Sequence, residues 1–209
     1  MKTIDLNSWP RLETYSFYKA LDYPHFSVCA DVDVTKLHEK CKKSDNSIFK
    51  AVLYGVSLTA NTIEEFRYRI RGREIVVHDV VHPSFTVLTS DKLFTFCESK
   101  FTHDMDAFFR QTEIAISKVK KNPSLRDEPG RDDYLFISSI PWIRFTSVTH
   151  PIHMHPADSV PRLAWGKISE DNNRILMPLS VQVHHGLADG YHVGQFYEKF
   201  QEWADRSVL

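Results

Sequence analysis

Residues 179–185 alternate apolar and polar side chains at the end of an apolar run that begins at Ile175, a pattern that an extended strand accommodates and a helix does not. Ile175, Met177, Leu179, Val181 and Val183 recur at a spacing of two and so share one face. A strand of that length has to bury its apolar face, so the chain must build a sheet with a second layer packed on it. His185 falls on the same parity, which brings an imidazole to the mouth of the strand on the buried side. Held and partly desolvated there, a neutral imidazole can act as a general base near pH 7. A hydrogen-bonded packing role is the plainer alternative for a histidine at a strand end. The run continues as Gly186-Leu187-Ala188-Asp189-Gly190, an acidic turn flanked by glycines.

Behind this turn, Val193, Phe196, Tyr197, Phe200 and Trp203 recur at helical spacing. They read as the packing face of a helix that covers the strand. Earlier in the chain a loop and a short helix precede a strand over Phe26–Val34, with Phe26, Val28, Ala30, Val32 and Val34 on one face. A helical piece follows around Lys36–Lys43, and a longer helix starts at Ser47, a suitable N-cap. Arg67–Ile70 and Glu74–Val77 flank Arg71-Gly72-Arg73 as a hairpin. Strands are expected at Phe85–Thr89 and Leu93–Cys97, then a helix over Asp104–Lys120 and a polar loop over Asn122–Asp133. Further strands are expected near Tyr134–Ser138, Arg144–Thr146 and Ala164–Ile168. No repeat or Gly/Ser linker divides the chain, so residues 1–209 are read as a single domain. Helices and strands mix without regular βαβ alternation, which places the fold in the α+β class: a two-layer sandwich of a mixed β-sheet covered by helices.

The stretches that carry chemistry occur in a recognisable order. They are Trp9-Pro10-Arg11 with Glu13 and Phe17-Tyr18; Phe26-Ser27; Pro83-Ser84-Phe85-Thr86-Val87; Ile137-Ser138-Ser139-Ile140-Pro141-Trp142; and Pro178-Leu179-Ser180-Val181-Gln182-Val183-His184-His185. Asp189-Gly190 and His192-Val193 close the series. This set resembles the chloramphenicol acetyltransferases, the trimeric type with an HHxxxDG signature, and it spans nearly the whole chain.

The resemblance implies the CoA-dependent acyltransferase fold and a homotrimer with active sites between subunits. It implies acetyl-CoA as co-substrate and an alcohol acceptor, the 3-hydroxyl of chloramphenicol. In that reading His185 is the general base and Ser138 donates to the oxyanion that forms as the hydroxyl attacks the thioester. One such donor is typically worth about 2.7–4 kcal/mol. Asp189 is not a third member of a Ser-His-Asp triad; by the resemblance it pairs with Arg11 and props the site's backbone. Tyr18, Phe26 and Cys97 match acceptor-pocket positions, and Trp142, Trp165 and Lys167 match positions near CoA. By composition alone these aromatics would be ordinary core residues.

The chain also departs from the family pattern. Ala164 stands where family members carry a threonine that helps hold a water, and a methyl group cannot make that hydrogen bond. Val148-Thr149-His150-Pro151-Ile152-His153-Met154-His155 differs from the apolar pocket stretch of the family. A non-catalytic relative that binds CoA or a hydrophobic ligand, or an acetyltransferase for another hydroxylated acceptor, is the alternative those changes support. The acyltransferase cores of 2-oxoacid dehydrogenase complexes share a His…Asp-Gly signature, but they carry lipoyl segments that this sequence lacks.

Charge and cysteine usage set further expectations. A formal net charge of −1 offers no basic surface for nucleic acid. No apolar stretch approaches the length of a membrane span, and Met1–Asp5 lacks a signal-peptide core. Cys29, Cys41 and Cys97, odd in number and widely spaced, read as reduced thiols of a cytoplasmic protein. His150, His153 and His155 lie within six residues, but in a proline-broken loop without a cysteine or carboxylate companion. They are read as surface or pocket histidines, and no metal is expected.

Overall fold

The described residues form two sheets and five α-helices. The computed structural model describes residues 1–126 and 128–206. Asp127, inside the polar loop expected over Asn122–Asp133, and residues 207–209 of the expected single domain lie outside the described residues. The elements begin with β1 (Lys2–Thr3), α1 (Leu12–Lys19), β2 (His25–Asp33), α2 (Thr35–Ser44) and α3 (Ile48–Asn61). A 3-10 turn at Glu64–Arg67 leads to β3 (Tyr68–Arg71), β4 (Glu74–Val77), β5 (His82–Leu88) and β6 (Phe94–Glu98). Then come α4 (Met105–Lys121), β7 (Tyr134–Ile140), β8 (Arg162–Gly166), β9 (Ser169–Asp171), β10 (Arg174–His184) and α5 (Gly190–Arg206). Ser47 caps α3 by accepting from the Lys50 N–H, and Asp104 caps α4 by accepting from Ala107.

The large sheet runs in the order β2-β10-β8-β7-β5-β6, with β9 also paired to β10. β2, β10 and β8 are antiparallel neighbours; β8, β7 and β5 run parallel; β6 returns antiparallel to β5. The sheet is therefore mixed and the fold α+β, with β1, β4 and β3 forming a small separate sheet. Ser138 pairs with Ala164 and Ala164 with Ser180, so these three residues form one row across β7, β8 and β10.

Period-2 alternation divides the large sheet into two unlike faces. Phe85, Cys97, Leu135, Ile137, Leu163, Trp165, Met177, Leu179, Val181 and Val183 point to the helices. There they join Leu37 of α2, Val52 and Val56 of α3, Phe108 of α4 and Phe196 and Phe200 of α5 in one continuous core. α5 is tied down further by Tyr197, whose hydroxyl donates to the Leu179 carbonyl at 2.6 Å.

The opposite face carries Ser27, Ser138, Ser180, Gln182 and His184. In β10 every residue from Leu176 to His184 is buried, so its alternation separates two covered faces and not core from solvent.

What covers the second face is the segment after β7. The strand expected at Arg144–Thr146 is absent, because this segment crosses the sheet face and does not join an edge. Its backbone is satisfied by side chains beneath it. Ser27 Oγ donates to the Val148 carbonyl at 3.2 Å, and the His150 N–H donates to Gln182 Oε1 at 3.0 Å. The Lys167 N–H donates to the Ile143 carbonyl at 2.7 Å. Gly166 permits the close approach, since a Cβ there would lie 2.8 Å from the Ile143 oxygen.

Candidate active site

β10 ends at His184, one residue before the histidine to which the alternation assigned burial. His184 is 2% exposed, whereas His185 is half-buried. The two neighbouring imidazoles consequently have different tasks. His184 Nδ1 accepts from the Gly186 N–H at 3.1 Å and its carbonyl accepts from Leu187 and Ala188, which folds the chain into the turn. Burial, reinforced by the neighbouring His25 ring, pushes its pKa down to about 4. At neutral pH His184 is an uncharged structural residue.

His185 is held by its ring. Its backbone N–H donates to the Pro24 carbonyl at 2.7 Å. Tyr18 lies flat against the imidazole, with centroids 3.9 Å apart and planes 7° from parallel, and Phe26 tilts against it at 4.4 Å. Tyr18 comes from α1 and Phe26 from β2, so three separate parts of the chain fix one imidazole. His185 Nδ1 is buried and has no hydrogen-bond partner among the described residues.

Asp189 does not touch His185. Its Oδ2 accepts from Arg11 Nη1 at 2.9 Å, and its Oδ1 accepts from the Tyr191 N–H at 3.0 Å. His192 Nδ1 stands 2.8 Å from Asp189 Oδ1, while His192 Nε2 stands 3.3 Å from Glu65 Oε1. Burial works against charge on His192, but Glu65 and Asp189 outweigh it and raise its pKa. Despite its own burial, Asp189 is held below the usual carboxylate range by Arg11 and His192. This chain of charges reaches from Arg11 through Asp189 and His192 to Glu65 of the 3-10 turn. Glu65 gave no signal in the sequence, because an acidic residue in a polar stretch is ordinarily solvated.

Ser138 lies elsewhere. It is near the C-terminal end of β7, on the rim of a cavity of about 470 Å³ on the face away from the helices. That volume suits a small molecule. Ser84, Thr86, Phe96 and Phe136 line it from the sheet, and His150, His153, Asp158 and Arg162 close it from the covering segment and β8. Arg162 and Asp158 form an ion pair, and among the described residues no cluster of three His, Cys, Asp or Glu side chains has the makings of a metal site.

Parity places two of the expected ligand contacts in the helix-side core. Cys97 is 0% exposed in the helix-side core, where burial pushes its thiol up to about 12; its neighbour Phe96 reaches the cavity instead. Trp165 is 3% exposed and packs on Phe49 at 5.6 Å, also on the helix side. Both residues sit on strands whose alternation turns them inward. Trp142, 65% exposed, follows β7, and Lys167, also exposed, follows β8 beside it. Ala164 is fully buried between Ser138 and Ser180.

A family model described as chloramphenicol acetyltransferase matches residues 1–201. The chain belongs to the chloramphenicol acetyltransferase family. A chloramphenicol acetyltransferase from Bacillus pumilus is 31% identical, with 99% of this chain and 98% of that protein covered. Chloramphenicol acetyltransferase 3 from Escherichia coli is 28% identical over 95% of this chain and 94% of its own length. Among solved structures, a chloramphenicol acetyltransferase superposes with a TM-score of 0.87 at 25% identity, covering 97% of this chain and 99% of that one. A dihydrolipoamide acetyltransferase from Azotobacter vinelandii shares the fold, with a TM-score of 0.65 at 19% identity over 92% and 86% of the two chains. The HHxxxDG pattern read in the sequence is formed by His184-His185 and Asp189-Gly190.

Proposed function

We propose that the protein is an acetyl-CoA-dependent O-acetyltransferase whose acceptor is chloramphenicol, with His185 as general base and Ser138 as oxyanion donor. The observation that carries this is the half-buried imidazole of His185, clamped between Tyr18 and Phe26 and fixed by Pro24. An alcohol becomes a competent nucleophile when a positioned neutral imidazole takes its proton during attack.

His185 and Ser138 act on one substrate only if they come from two copies of the chain. Ser138, Ala164 and Ser180 share a row, and His185 lies five residues beyond Ser180, just past the end of β10, which is two strands removed from β7. Two strand spacings of about 4.8 Å and five steps of about 3.3 Å separate their Cα positions by about 19 Å. No side-chain rotation spans that gap. A trimer, with each site built at a subunit interface, resolves it: one copy supplies His185 and its partner supplies Ser138 with the adjoining cavity.

Acetyl-CoA provides the acetyl thioester. The exposed Trp142 and Lys167, neighbours beyond the Ser138 end of β7 and β8, suit its adenine and phosphates respectively. Tyr18 and Phe26 orient the base and border the acceptor. Arg11 and Asp189 hold the turn that follows His185. No described helix is long and apolar enough to cross a membrane. Free Cys29, Cys41 and Cys97 support a cytoplasmic location, and the continuous core supports a single domain.

The test is thiol release from acetyl-CoA in the presence of chloramphenicol by the wild type and His185→Ala. Turnover by the first, with a loss of several orders of magnitude in a folded second, supports the reading. Equal rates in the two proteins remove His185 as the base.

A further inference from the structure

The cavity beside Ser138 has an aromatic floor and a polar lid. Phe96, Phe136 and Arg162 come from the sheet, and His150 and Asp158 from the segment that covers it. Arg162 is already engaged: Nη2 donates to Asp158, Nη1 donates to the Val160 carbonyl at 2.9 Å, and its guanidinium lies 5.2 Å from the centroid of the Phe136 ring. The pair carries no net charge. An anionic ligand group would meet the Asp158 carboxylate, and a cationic one would meet Arg162, so the lid suits a neutral polar group.

His150 is the unsatisfied member of this lid. Its backbone is anchored on Gln182 at 3.0 Å, yet its ring Nε2 is buried without a hydrogen-bond partner among the described residues. A buried polar atom of this kind is costly unless something pairs with it. Burial first, and the nearby Arg162 second, hold the imidazole below its ordinary pKa, so at neutral pH it offers a donor and an acceptor and no charge.

We propose that His150 is a specificity-determining residue of the acceptor pocket, where its Nε2 pairs with a neutral hydrogen-bonding group that the acceptor carries apart from its reacting hydroxyl. The ligand class is an aromatic alcohol bearing a second hydroxyl or an amide, its ring lying on Phe96 and Phe136. Only the naming of this cavity as the acceptor site rests on the acetyltransferase reading.

Calorimetric binding without acetyl-CoA tests the proposal independently of turnover. The probes are chloramphenicol and two analogues, one with its secondary hydroxyl replaced by hydrogen and one with its amide replaced by methylene. At least one replacement is expected to weaken binding to the wild type about tenfold, but to His150→Leu by less than about twofold. His150→Gln, which keeps a donor and an acceptor, should retain most of the wild-type discrimination. The proposal is overturned if both replacements cost the same factor in wild type and His150→Leu, or if the wild type binds none of the probes. His150-dependent binding without any thiol release would leave this inference standing and remove the acetyltransferase reading. Turnover indifferent to His150 would do the reverse.

Discussion

Ser138, on β7, and His185, just past the end of β10, lie toward opposite ends of one sheet, with β8 between the two strands. The row Ser138–Ala164–Ser180 places them about 19 Å apart within a subunit, so neither can serve the other in the same chain. A composite site gives a sharp expectation. His185→Ala and Ser138→Ala, each nearly inactive as a homo-oligomer, should regain activity when denatured together and refolded as mixed oligomers. Those oligomers contain interfaces with both residues intact. Thiol release before and after mixing is the measurement, and no recovery would place both groups in one subunit.

The two substitutions should differ in size. Loss of a general base removes about 10²–10⁴-fold, and loss of one oxyanion donor about 10²–10³-fold. Both effects should appear in kcat with little change in the acetyl-CoA KM, and the thermal midpoint of each variant should stay close to that of the wild type. A Ser138→Ala variant that lost acceptor affinity and kept kcat would make Ser138 a binding group.

Arg11→Ala should affect stability as well as rate. It leaves Asp189 next to His192 without its main counter-charge. Breaking a fully buried pair costs about 3–5 kcal/mol. Because Asp189 keeps a third of its side-chain exposure, the expected loss here is smaller, about 1–3 kcal/mol. Urea unfolding of the variant beside the wild type measures it. Lost activity with an unchanged midpoint would assign the pair to catalysis and not to support.

Acid should destabilise the protein before its carboxylates protonate. His184 has a folded pKa of about 4 against an ordinary 6.5, and burial lowers His25 as well. Between these values the unfolded chain binds more protons, so stability rises with pH across that window. The His184 share is up to about 3 kcal/mol. His192 works in the opposite sense: its raised pKa gives stability that is present below 6.5 and lost as pH rises through the folded value. His184→Asn keeps an acceptor for the Gly186 N–H and no longer titrates. Its unfolding midpoint should change less between pH 6.5 and 4.5 than that of the wild type; an unchanged slope would remove His184 as the cause.

Gly55→Ala probes the helix layer. A Cβ at this position of α3 would lie 2.1 Å from the Trp203 ring of α5. Alanine is the better helix former, yet overpacking should dominate and cost about 1–3 kcal/mol. For a chain of this size that is roughly 2–4 °C in Tm per kcal/mol, readable by calorimetry. A raised Tm would mean that Trp203 moves aside freely.

Much of this architecture was legible in order along the chain. The alternation of residues 179–185, the helical recurrence from Val193 to Trp203, the Ser47 cap and the Arg71-Gly72-Arg73 hairpin are local signals, and local sterics and periodicity decide them. The HHxxxDG stretch and its companions identified the family for the same reason, since a motif is written in consecutive residues.

Tertiary structure alone decided which face each strand residue serves and what lies across from it. Cys97 and Trp165 turn toward the helices, while Phe96 and Arg162, their partners in alternation, turn toward the cavity. Alternation defines two faces but does not say which one meets helices. Residues 144–146 carry a strand-like pattern, yet side chains of β2 and β10 satisfy the covering segment's backbone, so it joins no sheet. The pairing of His192 with Glu65, the free Nε2 of His150 and the distance between Ser138 and His185 all follow from strand order. Contacts between residues far apart in sequence leave no periodic trace in it, and they exist only once the sheet has set its register.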